Sequence, residues 1–79
     1  LLPGYERLSE PHSEGVVEHV VVVRGEMELL VRDVWQPLKE GEAVRFAAAQ
    51  PHGYRNPGTL PAVFHNLIYY PPGSARQSR

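Results

Sequence analysis

From Val16 to Val23 the chain reads V-V-E-H-V-V-V-V, apolar at nearly every position. This predicts a strand covered on both faces, by the body of the domain on one side and by a second sheet or subunit on the other. "RGE" at 24–26 supplies a glycine turn. Met27, Leu29 and Val31 then alternate with Glu26, Glu28 and Arg32, the period-two pattern of a half-buried strand, so the two runs predict a hairpin. "RDVWQPL" at 32–38 predicts a second tight turn followed by a short strand, and "KEGE" at 39–42 a third turn before "AVRF". Residues 47–58, with two prolines and two glycines, read as mostly loop; 61–70 are aromatic and branched enough for a last long strand. No apolar 3.6-residue period persists anywhere, and strands at this spacing predict an all-β sandwich or barrel.

Glu18 stands out inside this pattern. On a strand, residues 16, 18, 20 and 22 share one face and 17, 19, 21 and 23 the other, so Glu18 and His19 point opposite ways. A carboxylate turned toward the core with Val20 and Val22 costs several kcal/mol unless a cation or hydrogen-bond donors meet it. His12 lies six residues upstream and His52 sits in the distant "QPHGY". Two imidazoles and one carboxylate suit a first-row divalent ion, with positions left open for water or a ligand. Protein donors are the other way to satisfy Glu18.

Length and composition narrow the choices. The 79 residues suffice for one domain, expected over 1–71, with 72–79 an expected disordered tail or linker. There is no cysteine, which removes disulfides and thiolate zinc sites and leaves imidazole and carboxylate as metal ligands. A formal net charge of -1 with no block of like charge gives these residues no nucleic-acid footprint. No apolar run is long enough to span a bilayer as a helix and no export signal is evident, so a cytoplasmic location is expected. The opening "LLPGYERL" lacks an initiator methionine and reads as a turn within a longer chain.

The same residues resemble the two motifs of the cupin family. His12, Glu14, Glu18 and Gly25 fall at the H, second H, E and final G positions of G-x5-H-x-H-x3-4-E-x6-G; Gly41, Ala47, Ala49, His52 and Asn56 fall at those of G-x5-P-x-G-x2-H-x3-N. Glu14 replaces the usual second histidine, alanines replace a proline and a glycine, and Gly4 is too far upstream to open the first motif. The likeness covers roughly residues 3–71 and implies a double-stranded β-helix, the jelly-roll barrel. More narrowly, "EPHSEGVVEHVVVVRGEMELLV", "GEAVRFAAAQPHGYRNPG" and "FHNLIYYP" resemble the C-terminal sensor domain of bacterial XRE-type helix-turn-helix regulators.

That resemblance implies a domain that binds a small effector, with amino acids and sulfur-containing metabolites as candidates, while a fused domain binds DNA. It implies a metal on His12, Glu18 and His52, with Glu14 either a fourth ligand or a solvated charge; zinc is favoured over iron, manganese or nickel because the fuller histidine set is missing. Arg45 reads either as a surface ion-pair residue or as the partner of an effector carboxylate, and Tyr54 as cavity lining or packing. His19, His65 and Trp35 read as structural. The apolar outer face of 16–23 predicts a homodimer. A small cupin metalloenzyme, of oxygenase or isomerase type, and a metal-free barrel are the alternatives.

Overall fold

The structure, a computed structural model, describes residues 1–72. It contains seven strands: β1 Glu6–Ser9, β2 Val17–Arg24, β3 Glu26–Val31, β4 Val34–Lys39, β5 Ala43–Ala47, β6 His52–Arg55 and β7 Val63–Tyr69. They form a four-stranded sheet in the order β1-β6-β3-β4 and a three-stranded sheet in the order β5-β2-β7, with every pairing antiparallel. Pairing β2 with β7 and β3 with β6 folds the chain back on itself, the long-range closure of a jelly roll. The expected tail lies outside the described residues from position 73 onward.

The inner faces follow the sequence alternation. Val16, Val20 and Val22 meet Met27, Leu29, Leu38, Phe46, Ala48, Tyr54 and Ala62 in one core. Two turns set the register. Val31 pairs with Val34, leaving Arg32 and Asp33 as a two-residue loop, both with positive φ (55° and 65°), as the twist of such a hairpin requires. Between β2 and β3, Gly25 has φ +80° and a Cβ there would stand 2.8 Å from the carbonyl oxygen of Pro61, so both conformation and space select glycine. Pro37 is accommodated because β4 is an edge strand.

Two strands were not expected. The opening residues hold the expected turn, with Pro3 and Gly4 at its centre and the Tyr5 N–H donating to the Leu2 carbonyl at 3.1 Å, but it leads into a strand, β1, and the expected 47–58 loop contains β6. Strand β6 is short and polar, yet His52, Gly53 and Tyr54 are buried because it runs between β1 and β3. Within the described residues no second sheet covers the outer face of β2, which leaves a subunit as its expected cover: half-buried Val17 pairs with exposed Tyr69 and exposed His19 with exposed Leu67, Val21 is half-buried, and Val23 is exposed where the register with β7 shifts.

Candidate metal and ligand site

Three elements bring the site together. Glu18, the second residue of β2, points inward with Val20 and Val22 and is 1% exposed. His12 lies in the β1–β2 loop, which is tied to the β5–β6 segment by the His12 backbone N–H donating to the Ala48 carbonyl at 2.8 Å. His52 opens β6 and shares the inner face with Tyr54. The Nε2 atoms of His12 and His52 each lie 3.0 Å from Glu18 Oε2, and one ligand atom from each residue falls within 4.8 Å of the others.

The opposite oxygen of the carboxylate is held separately. Tyr54 Oη donates to Glu18 Oε1 at 2.6 Å and in turn accepts a hydrogen bond from Asn66 Nδ2 at 3.1 Å. Burial, and then the hydrogen bond and charge of Glu18, push the Tyr54 phenol well above its ordinary range, partly opposed by hydrogen bonds from Asn66 and Ser9. Tyr54 therefore stays protonated near neutral pH and remains a donor. Glu18 Oε1 thus has a protein donor, one of the two answers the sequence left open, while the imidazole nitrogens of His12 and His52 converge on Oε2.

The imidazoles are not equivalent. His52 Nδ1 lies 3.0 Å from the Gln50 carbonyl oxygen, which can only accept, so Nδ1 carries the proton. In the neutral ring Nε2 then has a lone pair, and it is the one buried side-chain nitrogen or oxygen among the described residues without a hydrogen-bond partner, although Glu18 Oε2 is 3.0 Å away. Two electron-pair donors held this close are stabilised by a positive charge between them, and a divalent cation fits that donor set. Phe46 and Tyr54 pack against the His52 ring at 5.3 and 6.1 Å, and His12 is the more open member, with 29% of its side chain exposed.

Not every expected residue arrives here. Glu14 is exposed and lies outside the donor cluster, so the structure does not bring it in as a fourth ligand. Arg45 is exposed on β5 between inward-facing Val44 and Phe46 and pairs in register with His19, on the outer face and away from the cluster. Tyr54 does line the cavity, about 670 Å³, that opens above Glu18 and His12. Asn56, at the last position of the second motif, is a loop staple: its Nδ2 donates to the Leu1 and Leu60 carbonyls and its Oδ1 accepts from Gly58 N–H. Trp35 is half-buried on β4, with the Arg55 guanidinium 4.1 Å from its ring centre and Arg55 also bonded to Glu28. Asn66 escaped the sequence reading, although a lone amide between Phe64 and Ile68 on one strand face is a usable signal.

The Tyr54 hydroxyl yields a prediction. Tyr54→Phe leaves Glu18 Oε1 without its donor. It should lower divalent-metal affinity about 10- to 100-fold, as loss of a partner behind a ligand does, and the stability of the metal-free chain by about 1–3 kcal/mol. Competition with a chromophoric chelator and urea unfolding measure the two effects. Unchanged metal affinity would show that the hydroxyl does not support the site.

A closed pair of antiparallel sheets with an imidazole–carboxylate cluster on the inner wall is the build of a cupin, and the chain belongs to that family: the Cupin_2 profile, described as a cupin domain, matches residues 1–75. Among particular proteins, it is 54% identical over 63 residues to the HTH-type transcriptional regulator SutR of Escherichia coli (strain K12), an alignment covering 80% of this chain and 35% of that protein. It therefore spans about a third of that relative's length. The fold is similar to the crystal structure of the Cupin_2 domain of an XRE family transcriptional regulator from Enterobacter cloacae (TM-score 0.88, 48% identity, 90% of this chain and 75% of that one). It is also similar to an HTH_3 family transcriptional regulator from Vibrio cholerae (TM-score 0.84, 41% identity, 90% of this chain and 39% of that one). No helix among the described residues is long and apolar enough to cross a membrane.

Proposed function

We propose that this chain is the effector-sensing domain of a helix-turn-helix transcriptional regulator, with a divalent metal, zinc by preference, held by His12, Glu18 and His52 at the base of its ligand cavity. The observation that carries the metal reading is the buried His52 Nε2 left without a hydrogen-bond partner beside Glu18 Oε2. The regulatory reading is supported by the relatives, which are transcriptional regulators. DNA binding then belongs to sequence outside these residues, and the regulator works in the cytoplasm. The domain spans 1–71.

When bound, the ion supplies a Lewis-acidic centre with positions open to a small polar metabolite, an amino acid or sulfur-containing compound among the candidates. The protein's own part is fixed by contacts already described. Gln50 selects the His52 tautomer, Tyr54 and Asn66 orient Glu18, and Tyr54 presents its hydroxyl to the cavity wall. The domain senses and does not turn its ligand over.

A homodimer through the outer face of the β5-β2-β7 sheet completes the proposal. Leu67 is 66% exposed and Tyr69 57% exposed on that face, beside half-buried Val17 and Val21, so association would remove apolar surface from water. Sedimentation velocity at micromolar concentration should give a dimer; a monomer contradicts it.

The regulatory reading predicts that operator DNA affinity of the regulator carrying this chain changes when the barrel's ligand or metal is added or removed, because a ligand shifts a two-state equilibrium only through unequal affinity for the states. DNA affinity indifferent to every compound that binds the barrel would contradict it. Turnover of a bound compound by the isolated barrel would favour the metalloenzyme reading instead.

A further inference from the structure

The cavity above the cluster has a charged residue that the metal site does not use. Across the β1–β6 pair, Arg7 stands opposite Tyr54 and Ser9 opposite His52. Directly opposed residues of an antiparallel pair project to the same side of the sheet. Tyr54 and His52 project into the barrel, so Arg7 does too, and it lines the cavity together with His12, Glu18, Tyr54 and Asn66. Glu6, the residue before it, projects to the other side of the strand and does not line the cavity.

Its charge is also unspent. The ion pairs among the described residues are His12–Glu18, His52–Glu18 and Arg55–Glu28, so no carboxylate there lies within ion-pair distance of Arg7. Arg55 shows the contrast, with Glu28 and the Trp35 ring both in contact. Strand β1 is the edge of one sheet and β7 the edge of the other, and the cavity is lined from both, so a ligand passing between those edges meets Arg7. Phe64, Ile68 and Leu1 make part of the wall apolar, while Glu10 adds one negative charge to the lining.

We infer that Arg7 is the anion anchor of this cavity and that its ligand class is a small monocarboxylic acid with an apolar body, the carboxylate paired with the guanidinium and the body against Phe64 and Ile68. A guanidinium offers a carboxylate two parallel, charge-assisted hydrogen bonds that a neutral ligand cannot return. Glu10 opposes a second negative charge, which sets the preference at a monoanion. The inference rests on the proposed reading of the cavity as a ligand site; Arg7 itself is not a metal ligand.

The test is calorimetric titration of 2-oxoisovalerate, its neutral amide and sulfate into the zinc-loaded and the chelator-treated chain. It compares wild type, Arg7→Gln, Arg7→Lys and the outer-face control Arg45→Gln. Wild type should prefer the acid to the amide. Arg7→Gln should weaken acid binding about 10- to 100-fold without changing amide binding or zinc content, Arg7→Lys should fall between, and Arg45→Gln should match wild type. Equal acid affinity in wild type and Arg7→Gln, no acid binding at millimolar concentration, or sulfate binding as tightly as the acid would each overturn the inference. The metal reading fails separately: if zinc does not load but acid binding still depends on Arg7, the metal centre is refuted and the anchor stands. Zinc loading with acid affinity indifferent to Arg7 is the reverse result.

Discussion

Zinc added at about a hundredfold excess over its dissociation constant is expected to raise the melting temperature of this chain by about 10–20 °C, and Glu18→Ala is expected to erase that rise. The size follows from linkage: an ion that binds only the folded chain at that excess contributes about 2.7 kcal/mol, and a domain of this length gains roughly 4–8 °C per kcal/mol. The sign follows from the geometry. Glu18 is the one carboxylate of the cluster, it is 1% exposed, and both imidazole nitrogens converge on its Oε2. Removing it takes away the anionic ligand and the point on which the others are centred. The effect is read as a shift within each variant, so any change in metal-free stability caused by Glu18→Ala does not enter. Differential scanning fluorimetry with zinc, manganese and nickel in parallel measures it; an equal zinc shift in wild type and Glu18→Ala would place the bound ion elsewhere.

The second large effect concerns the scaffold. Leu29→Ala should destabilise the chain by about 2–5 kcal/mol, the range for emptying a leucine site in a packed core. Leu29 is 0% exposed on β3, with Tyr54 of β6 opposite it on one side and Gln36 of β4 on the other. The void would open beside the residue that orients Glu18. Against a total stability of roughly 4–12 kcal/mol for 79 residues, such a loss takes a large share, so metal affinity should weaken as well. Urea denaturation of the metal-free chain measures the first effect. A loss below about 1 kcal/mol would mean that this part of the barrel repacks around the missing side chain.

The sequence was most legible where one face of a strand is buried. The alternation of Met27, Leu29 and Val31 gave β3, and parity along β2 placed Glu18 inward and His19 outward, as the structure has them. Strand β1 carries no alternation to read: it is four residues long, sits at a sheet edge, and is exposed at Glu6, Arg7 and Leu8. Missing β1 meant missing Arg7, because its direction is known only through its pairing with Tyr54. Strand β6 was hidden for the opposite reason, its burial coming from two neighbouring strands and not from apolar composition. His12 belongs to a loop, and its approach to Glu18 depends on a backbone bond to Ala48 that no local pattern encodes. Arg45 is instructive, since the apolar Val44 and Phe46 on either side already imply an outward side chain, and parity alone argues against the inward reading.

The site also shows what the scaffold gives up for its chemistry. Glu18, His52 and Asn56 are buried polar residues in a small core. Asn56 is fully engaged by backbone groups, and Glu18 is hydrogen-bonded to the Tyr54 phenol and to His12 Nε2. Only His52 Nε2 stands without a hydrogen-bond partner among the buried side-chain nitrogens and oxygens of the described residues. Buried polar atoms are rarely left this way, and such an atom in an otherwise satisfied core marks a functional demand.

That atom determines the most direct measurement, metal content of the tag-free chain by native and inductively coupled plasma mass spectrometry, beside His52→Ala. Close to one divalent ion per chain in the wild type, lost in His52→Ala while the variant stays folded by circular dichroism, is the predicted result. No metal in either protein after incubation with zinc, manganese, iron and nickel, or equal metal in both, would contradict the metal centre at His12, Glu18 and His52.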